Sequence, residues 1–198
     1  MAVARRMTRL EQKQATRTAL IDRARELFTE HGYTATTGDM IAKAVGVSRA
    51  TFYLHFRSKA EVVREHMRAR EGAILAAYQA LDNIADPTLA DVTGWLSGHI
   101  DYWRGHRAEF AVMEQALAHE QSVSDEWFAM LGRVSARMRN LLARQPDEEA
   151  RELARAHVMS MLMSTDRNLQ FAVVQGHDDD LGALVRVLAE QWLHCMRR

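Results

Sequence analysis

The chain has 198 residues, 47% of them hydrophobic, with two prolines and ten glycines, enough for a sizeable core in one helical domain or two smaller ones. No apolar run approaches the ~18 residues of a membrane span, no apolar signal core follows the basic N-terminus, and the single Cys195 excludes an internal disulfide, so a soluble, cytoplasmic protein without a membrane partner is expected. Formal net charge is zero, yet residues 1–60 hold 11 Lys/Arg against 5 Asp/Glu and the remainder holds 15 against 21, which concentrates positive field in the N-terminal third.

Residues 1–8 read as a basic arm in which Arg5 and Arg6, with Arg9 just beyond, either reach DNA or stay solvated. A helix is expected from about Thr8 to His31, with Ala15, Leu20, Ile21, Ala24, Leu27 and Phe28 on its buried side and Gly32 as its stop. Next come two short helices around a tight corner. Thr36 or Thr37 caps the first, and Met40, Ile41 and Ala44 share one of its faces. Gly46 supplies a positive φ at the corner, Val47 plugs it, and Ser48 caps the second helix, Arg49 to His55. Phe52 and Phe56, four apart, turn inward. Arg49, Ala50, Thr51, Tyr53 and His55 are left outward, a set that suits a major groove: Ala50 lets the backbone approach, and the others reach base edges and phosphates. Ser58 caps a further helix whose first turn holds Lys59, placed for a phosphate.

The runs ARELFTEHGYTATT and IAKAVGVSRATFYLHFRSK carry Ala-x-x-Leu-Phe, Gly-aromatic, Thr-Thr, Ile-Ala, Gly-Val-Ser and Tyr-x-His-Phe-x-x-Lys. In these motifs and their spacing the chain closely resembles the N-terminal domain of TetR-like transcriptional regulators, over roughly residues 10 to 65. The resemblance implies a helix-turn-helix that binds an operator. On the matching positions it makes Thr37, Ser48, Arg49, Ala50, Thr51, Tyr53, His55 and Lys59 the DNA-binding candidates, with Arg49 and Thr51 nearest the bases and Tyr53, His55 and Lys59 on phosphates. The chain departs from the family at Gly38, Asp39 and Met40, where an apolar, a basic and an acidic residue are usual. The family's capping box on Thr37 is lost there, Thr36 with Asp39 offers a replacement one residue earlier, and Asp39 would repel phosphate.

Beyond Ser58 a long helix is expected to about Asp82, with Val62, Val63, Met67, Ala73, Ile74, Ala77 and Leu81 along one face. In the family such a helix links ligand to DNA. After a break at Asn83 to Pro87, a helix over 88–104 places Val92, Trp95, Leu96, His99, Ile100, Tyr102 and Trp103 within about 160° of one another. Trp95, His99 and Tyr102 combine apolar bodies with polar tips, which suits a mostly apolar ligand pocket, although an aromatic stripe at this spacing is equally a core face. A helix over 106–119 adds Phe110, Met113 and Leu117, and one from Ser122 or Ser124 to about Arg144 adds Trp127, Met130, Leu131, Val134, Met138 and Leu141. Methionines at 113, 130, 138, 159, 161 and 163 fit either an adaptable cavity or irregular core filling.

Pro146 and Asp147 open a helix to about Gln175 that is apolar on two sides, Phe171 included, and Gly176 stops it. A last helix carries Leu181, Leu184, Val185, Leu188 and Trp192. In the family two such helices, here about 147–175 and 180–197, build a four-helix interface between two copies, so that paired recognition helices read two half-sites.

The expected protein is therefore all-α, with about nine helices: residues 1–60 the DNA-binding domain with its basic arm, and 61–198 a helical domain for effector binding and dimerisation. The expected partners are a double-stranded operator, a small hydrophobic effector and a second copy. The ligand candidates are Trp95, His99, Tyr102, Trp103, Phe110, Met113, Trp127, Met130, Met138 and Phe171. No cofactor, metal site or catalytic residue is expected: the chain has no Gly-rich loop, HExxH or CxxC, and Asp101 lies about 160° from His99 on its helix. A repressor released by its ligand fits best, with an activator of the same build or an effector-independent DNA-binding protein as the other readings.

Overall fold

A computed structural model describes residues 7–197; Arg5 and Arg6 of the expected arm lie outside the described residues. The described residues are all-α, with ten α-helices, one π-helical segment and no strand. They divide into two compact units. One comprises the described residues up to His66 together with Val112–Val123; the other comprises Met67–Ala111 and Ser124 onward. The first unit thus takes in residues 61–66 and one stretch from the middle of the chain, Val112–Val123.

In the first unit, α1 (Arg9–Ala35) opens on a capping box in which Thr8 and Glu11 each bond the other's backbone amide. The expected stop at Gly32 is a kink: Gly32 adopts φ 80°, and helical geometry resumes to Ala35. Thr36 is buried, and its hydroxyl donates back to the carbonyls of Leu27 and Gly32, so it closes α1. Thr37 alone caps α2 (Gly38–Val45), accepting from the Met40 amide at 3.2 Å, and no capping box forms on Thr36 and Asp39. Gly46 ends α2 in the left-handed region, φ 78°, and Ser48 caps α3 (Arg49–His55) through the Thr51 amide. Leu20, Ala24, Phe28, Tyr33, Ile41, Phe52 and Phe56 form the buried interior.

The unit also holds the first residues of α4 (Lys59–Asp82), the end of α6 (Arg107–His119) and the start of α7 (Gln121–Arg137). Tyr33, 1% exposed, is gripped by that middle stretch: its amide donates to Gln115 Oε1 at 2.8 Å and its hydroxyl to Glu120 Oε1 at 2.7 Å. Burial is the main reason its phenol is pushed far above its ordinary value.

The second unit contains α5 (Leu89–Gly105), α8 (Arg139–Ala143), α9 (Glu148–Leu169), the π segment (Gln170–Val174) and α10 (Leu181–Arg197), with the remainder of α4, α6 and α7. The single helix expected to Arg144 breaks at Met138, where ψ is 69° and the Met138 side chain offers α8 no cap. Asp82, 3% exposed at the end of α4, supplies that cap by accepting from the Asn140 and Leu141 amides at 2.8 and 2.9 Å. The π segment continues α9 to the expected stop at Gly176, φ 81°, and Arg107 donates twice to its last carbonyl, that of Val174.

Candidate nucleic-acid interface

The recognition-type helix α3 is anchored from behind. Phe52 and Phe56 are 0% and 1% exposed, with ring centroids 5.8 Å apart. Arg17 of α1 lays its guanidinium over the Phe56 ring at 4.2 Å, pairs with Glu65 at 3.2 Å and donates to the last carbonyl of α3, that of His55, at 2.6 Å. A cation at that carbonyl fits the negative end of the helix. Packing and a charged brace therefore fix which side of α3 faces water.

Ala50 and Leu54 lie about 160° round the helix from Phe52 and are its outermost residues. Arg49 and Tyr53 run down one flank and Thr51 and His55 down the other. Leu54, 79% exposed, is a DNA-facing candidate that sequence reading passed over. Two positions from Phe52, it falls on the opposite side of the helix, and an apolar side chain there suits the thymine methyl.

Approach of α2 to α3 depends on Gly38. A Cβ there would stand 2.9 Å from the Phe52 ring. Asp39, next in α2, is left exposed and pairs with Arg49, Nη1 to Oδ2, at 3.1 Å; the same guanidinium sits 5.5 Å from the centroid of the Tyr53 ring.

The polar candidates divide by what their atoms already do. Arg49, Ala50 and Tyr53 are exposed and present themselves with Leu54. Thr37 and Ser48 are exposed caps whose hydroxyl oxygens accept from amides, and Thr51 is half-buried with its hydroxyl bonded to that of Ser48 at 2.9 Å. His55 is also half-buried. Its Nδ1 is buried without a hydrogen-bond partner, and desolvation, aided by Lys13 and Arg17, lowers its pKa, which keeps the ring neutral and ill suited to hold phosphate as a cation. Lys59 departs furthest from expectation. Its Nζ donates to the carbonyls of Tyr33, Thr34 and Thr36 at 2.6, 3.2 and 2.9 Å and lies 4.2 Å from the Tyr33 ring centroid. An ammonium has three hydrogens, so the side chain is spent as a clamp on the end of α1, with none left for phosphate.

The ten ligand candidates do not gather at one place. Trp95 and His99 stack at 5.4 Å beside Tyr78 and Trp192, and Trp127, Met130 and Met138 belong to the same core cluster. Burial pushes the His99 imidazole down to about 4. Tyr102, Trp103 and Phe110 belong to a second cluster with Ile100, Leu169, Val173 and Val174, in which Trp103 and Phe110 stack at 3.7 Å. Met138 is wholly buried core, Phe171 is 44% exposed beside Arg167, and Met113 lies in the stretch that joins the N-terminal unit. Helical spacing put these residues on apolar faces without saying which face meets which. Among the described residues, no group of three or more His, Cys, Asp or Glu could hold a metal ion, and no helix is long and apolar enough to cross a membrane.

Residues 20–66 match the family described as bacterial regulatory proteins, tetR family. The chain is 47% identical over 64 residues to the HTH-type transcriptional regulator TcmR of Streptomyces glaucescens, a match covering 32% of this chain and 28% of TcmR. It is 43% identical over 49 residues to the icaADBC negative transcriptional regulator IcaR of Staphylococcus aureus, covering 25% and 26%. The chain spans about a quarter to a half of the length of the curated relatives it matches. Its fold is similar to that of FadR from Thermus thermophilus, a TetR-family transcriptional repressor solved with lauroyl-CoA, with TM-score 0.54, 19% identity and 91% of each chain covered.

Proposed function

We propose, from the premise that this chain belongs to the TetR-like family of bacterial transcriptional regulators, that it represses transcription by binding a palindromic operator as a homodimer and is released by a mostly apolar small molecule. The observation that carries the DNA-binding part is the outer side of α3, with Arg49, Ala50, Tyr53 and Leu54 facing water while Phe52, Phe56 and Arg17 lock the other side. Ala50 leaves room for close approach of the backbone, Arg49 offers a fork to guanine, and Leu54 suits a thymine methyl.

The dimer reading is supported by α9 and α10. Leu153, Ala156, Ser160 and Met163 leave an exposed stripe of apolar and small residues along α9, and Ala183 and Val187 leave a shorter one along α10. Two such stripes are what a two-fold four-helix contact requires. The effector reading is supported by the ring-rich interior of the second unit and by the Trp127 Nε1–H, a buried donor without a hydrogen-bond partner. FadR's lauroyl-CoA carries a long apolar chain of the class proposed. The effector releases DNA only by as much as it prefers the form unfit for the operator, a coupling typically of about 1–3 kcal/mol.

The test is selection of bound fragments from random duplex DNA with the purified protein, together with its mass in solution. A palindromic consensus and a dimeric mass are expected, and fatty acyl thioesters are the first ligands to add. Failure to enrich any sequence overturns the regulator reading, while enrichment of a single half-site by a monomer overturns the dimeric one.

A further inference from the structure

We propose that Asp39 sets the specificity of the α3 surface by positioning Arg49, holding that guanidinium away from phosphates and available to a base edge. The inference rests on the DNA-binding reading above. It starts from a charge that serves little else: both partners of the pair are more than half exposed, and exposed pairs of this kind add little to folding. Asp39 sits in the first turn of α2, yet Thr37 already caps that helix. What the carboxylate does change is the state of Arg49. The guanidinium is held on one side by Asp39 Oδ2 at 3.1 Å and flanked by the Tyr53 ring at 5.5 Å. A pinned guanidinium loses less freedom on forming a bidentate contact than a free one.

Electrostatics makes the effect selective. Sequence-independent affinity comes from cations that displace counterions from phosphates. A carboxylate beside Arg49 cancels its long-range field and repels any phosphate that comes close, so the residue contributes little to binding random duplex. At a guanine the balance differs, because O6 and N7 accept hydrogen bonds and carry no net charge. Asp39 thus lowers overall affinity while raising the ratio between operator and random DNA.

The experiment compares wild type, Asp39→Asn and Arg49→Lys on the selected operator and on random duplex across a range of salt concentrations, with thermal unfolding of each as a check on folding. Asp39→Asn should bind random duplex about three- to tenfold more tightly, steepen the salt dependence by about one phosphate contact, and bind the operator with a smaller advantage. Arg49→Lys keeps the charge but not the fork, so it should lose the preference for guanine at one position of each half-site. A wild type that binds no duplex overturns the DNA-binding reading, and this inference with it. A discriminating wild type matched by Asp39→Asn in random-duplex affinity and salt slope overturns this inference alone.

Discussion

Two side chains show how much a residue's partners matter. Lys59 stands where a phosphate contact is expected, yet its ammonium joins three carbonyls at the end of α1. Lys59→Met should therefore destabilise the first unit by about 1–3 kcal/mol, read by urea unfolding. It should weaken DNA binding while leaving the salt slope unchanged, whereas loss of a direct phosphate contact would flatten the slope by about 0.9. His99 is the second case. Its folded value of about 4 lies below the ordinary 6.5, so as pH falls through that window the unfolded chain takes up a proton that the folded one refuses. Stability from this group is full above the window and lost within it, by up to about 3 kcal/mol. His99→Leu should flatten the decline, checked by urea midpoints above and inside the window; an equally steep decline in the variant would place the proton elsewhere.

At the scale of elements, the caps and corners were legible in the sequence because local chemistry decides them. Ser48 opening α3, Gly46 closing α2 and Phe52 paired with Phe56 follow from capping, positive φ and helical spacing. The start of α8 was not legible, since its cap is Asp82, 58 residues away from the Asn140 amide it accepts from. Nor was the pairing of faces in the second unit, where one aromatic arc divides between two clusters. At the candidate site the outward side of α3 was legible from the spacing of Phe52 and Phe56, whereas the burial of His55 and the bonds of Lys59 come from long-range contacts that local spacing does not carry. α2 lies so close to the Phe52 ring that a Cβ at residue 38 would stand 2.9 Å from it. Gly38→Val should cost about 1–3 kcal/mol by overpacking, measured by thermal unfolding, and should lower operator affinity in step if α3 is displaced.

At the scale of the whole molecule, the proposed function requires both a surface that reads DNA and one that pairs with a second copy. Leu153 and Met163 are the large apolar residues of the exposed α9 stripe, 59% and 40% exposed. Replacing both with lysine should leave each chain folded, because neither fills the core, and give a monomeric mass by sedimentation. Operator affinity should then fall at least about tenfold, since each half-site must be bound without the other's effective concentration. A double variant that remains dimeric would move the interface to another face.

Gly38 and Phe52 also constrain the order in which substitutions can accumulate. The ring occupies the space a side chain at residue 38 would need, so any larger residue there is penalised while Phe52 remains. Trimming Phe52 first opens a void in the buried interior, which carries its own cost but makes room for the second change. The two positions should therefore be strongly non-additive, and a lineage moving between the small–large and large–small arrangements must pass through a weakened intermediate or change both residues together.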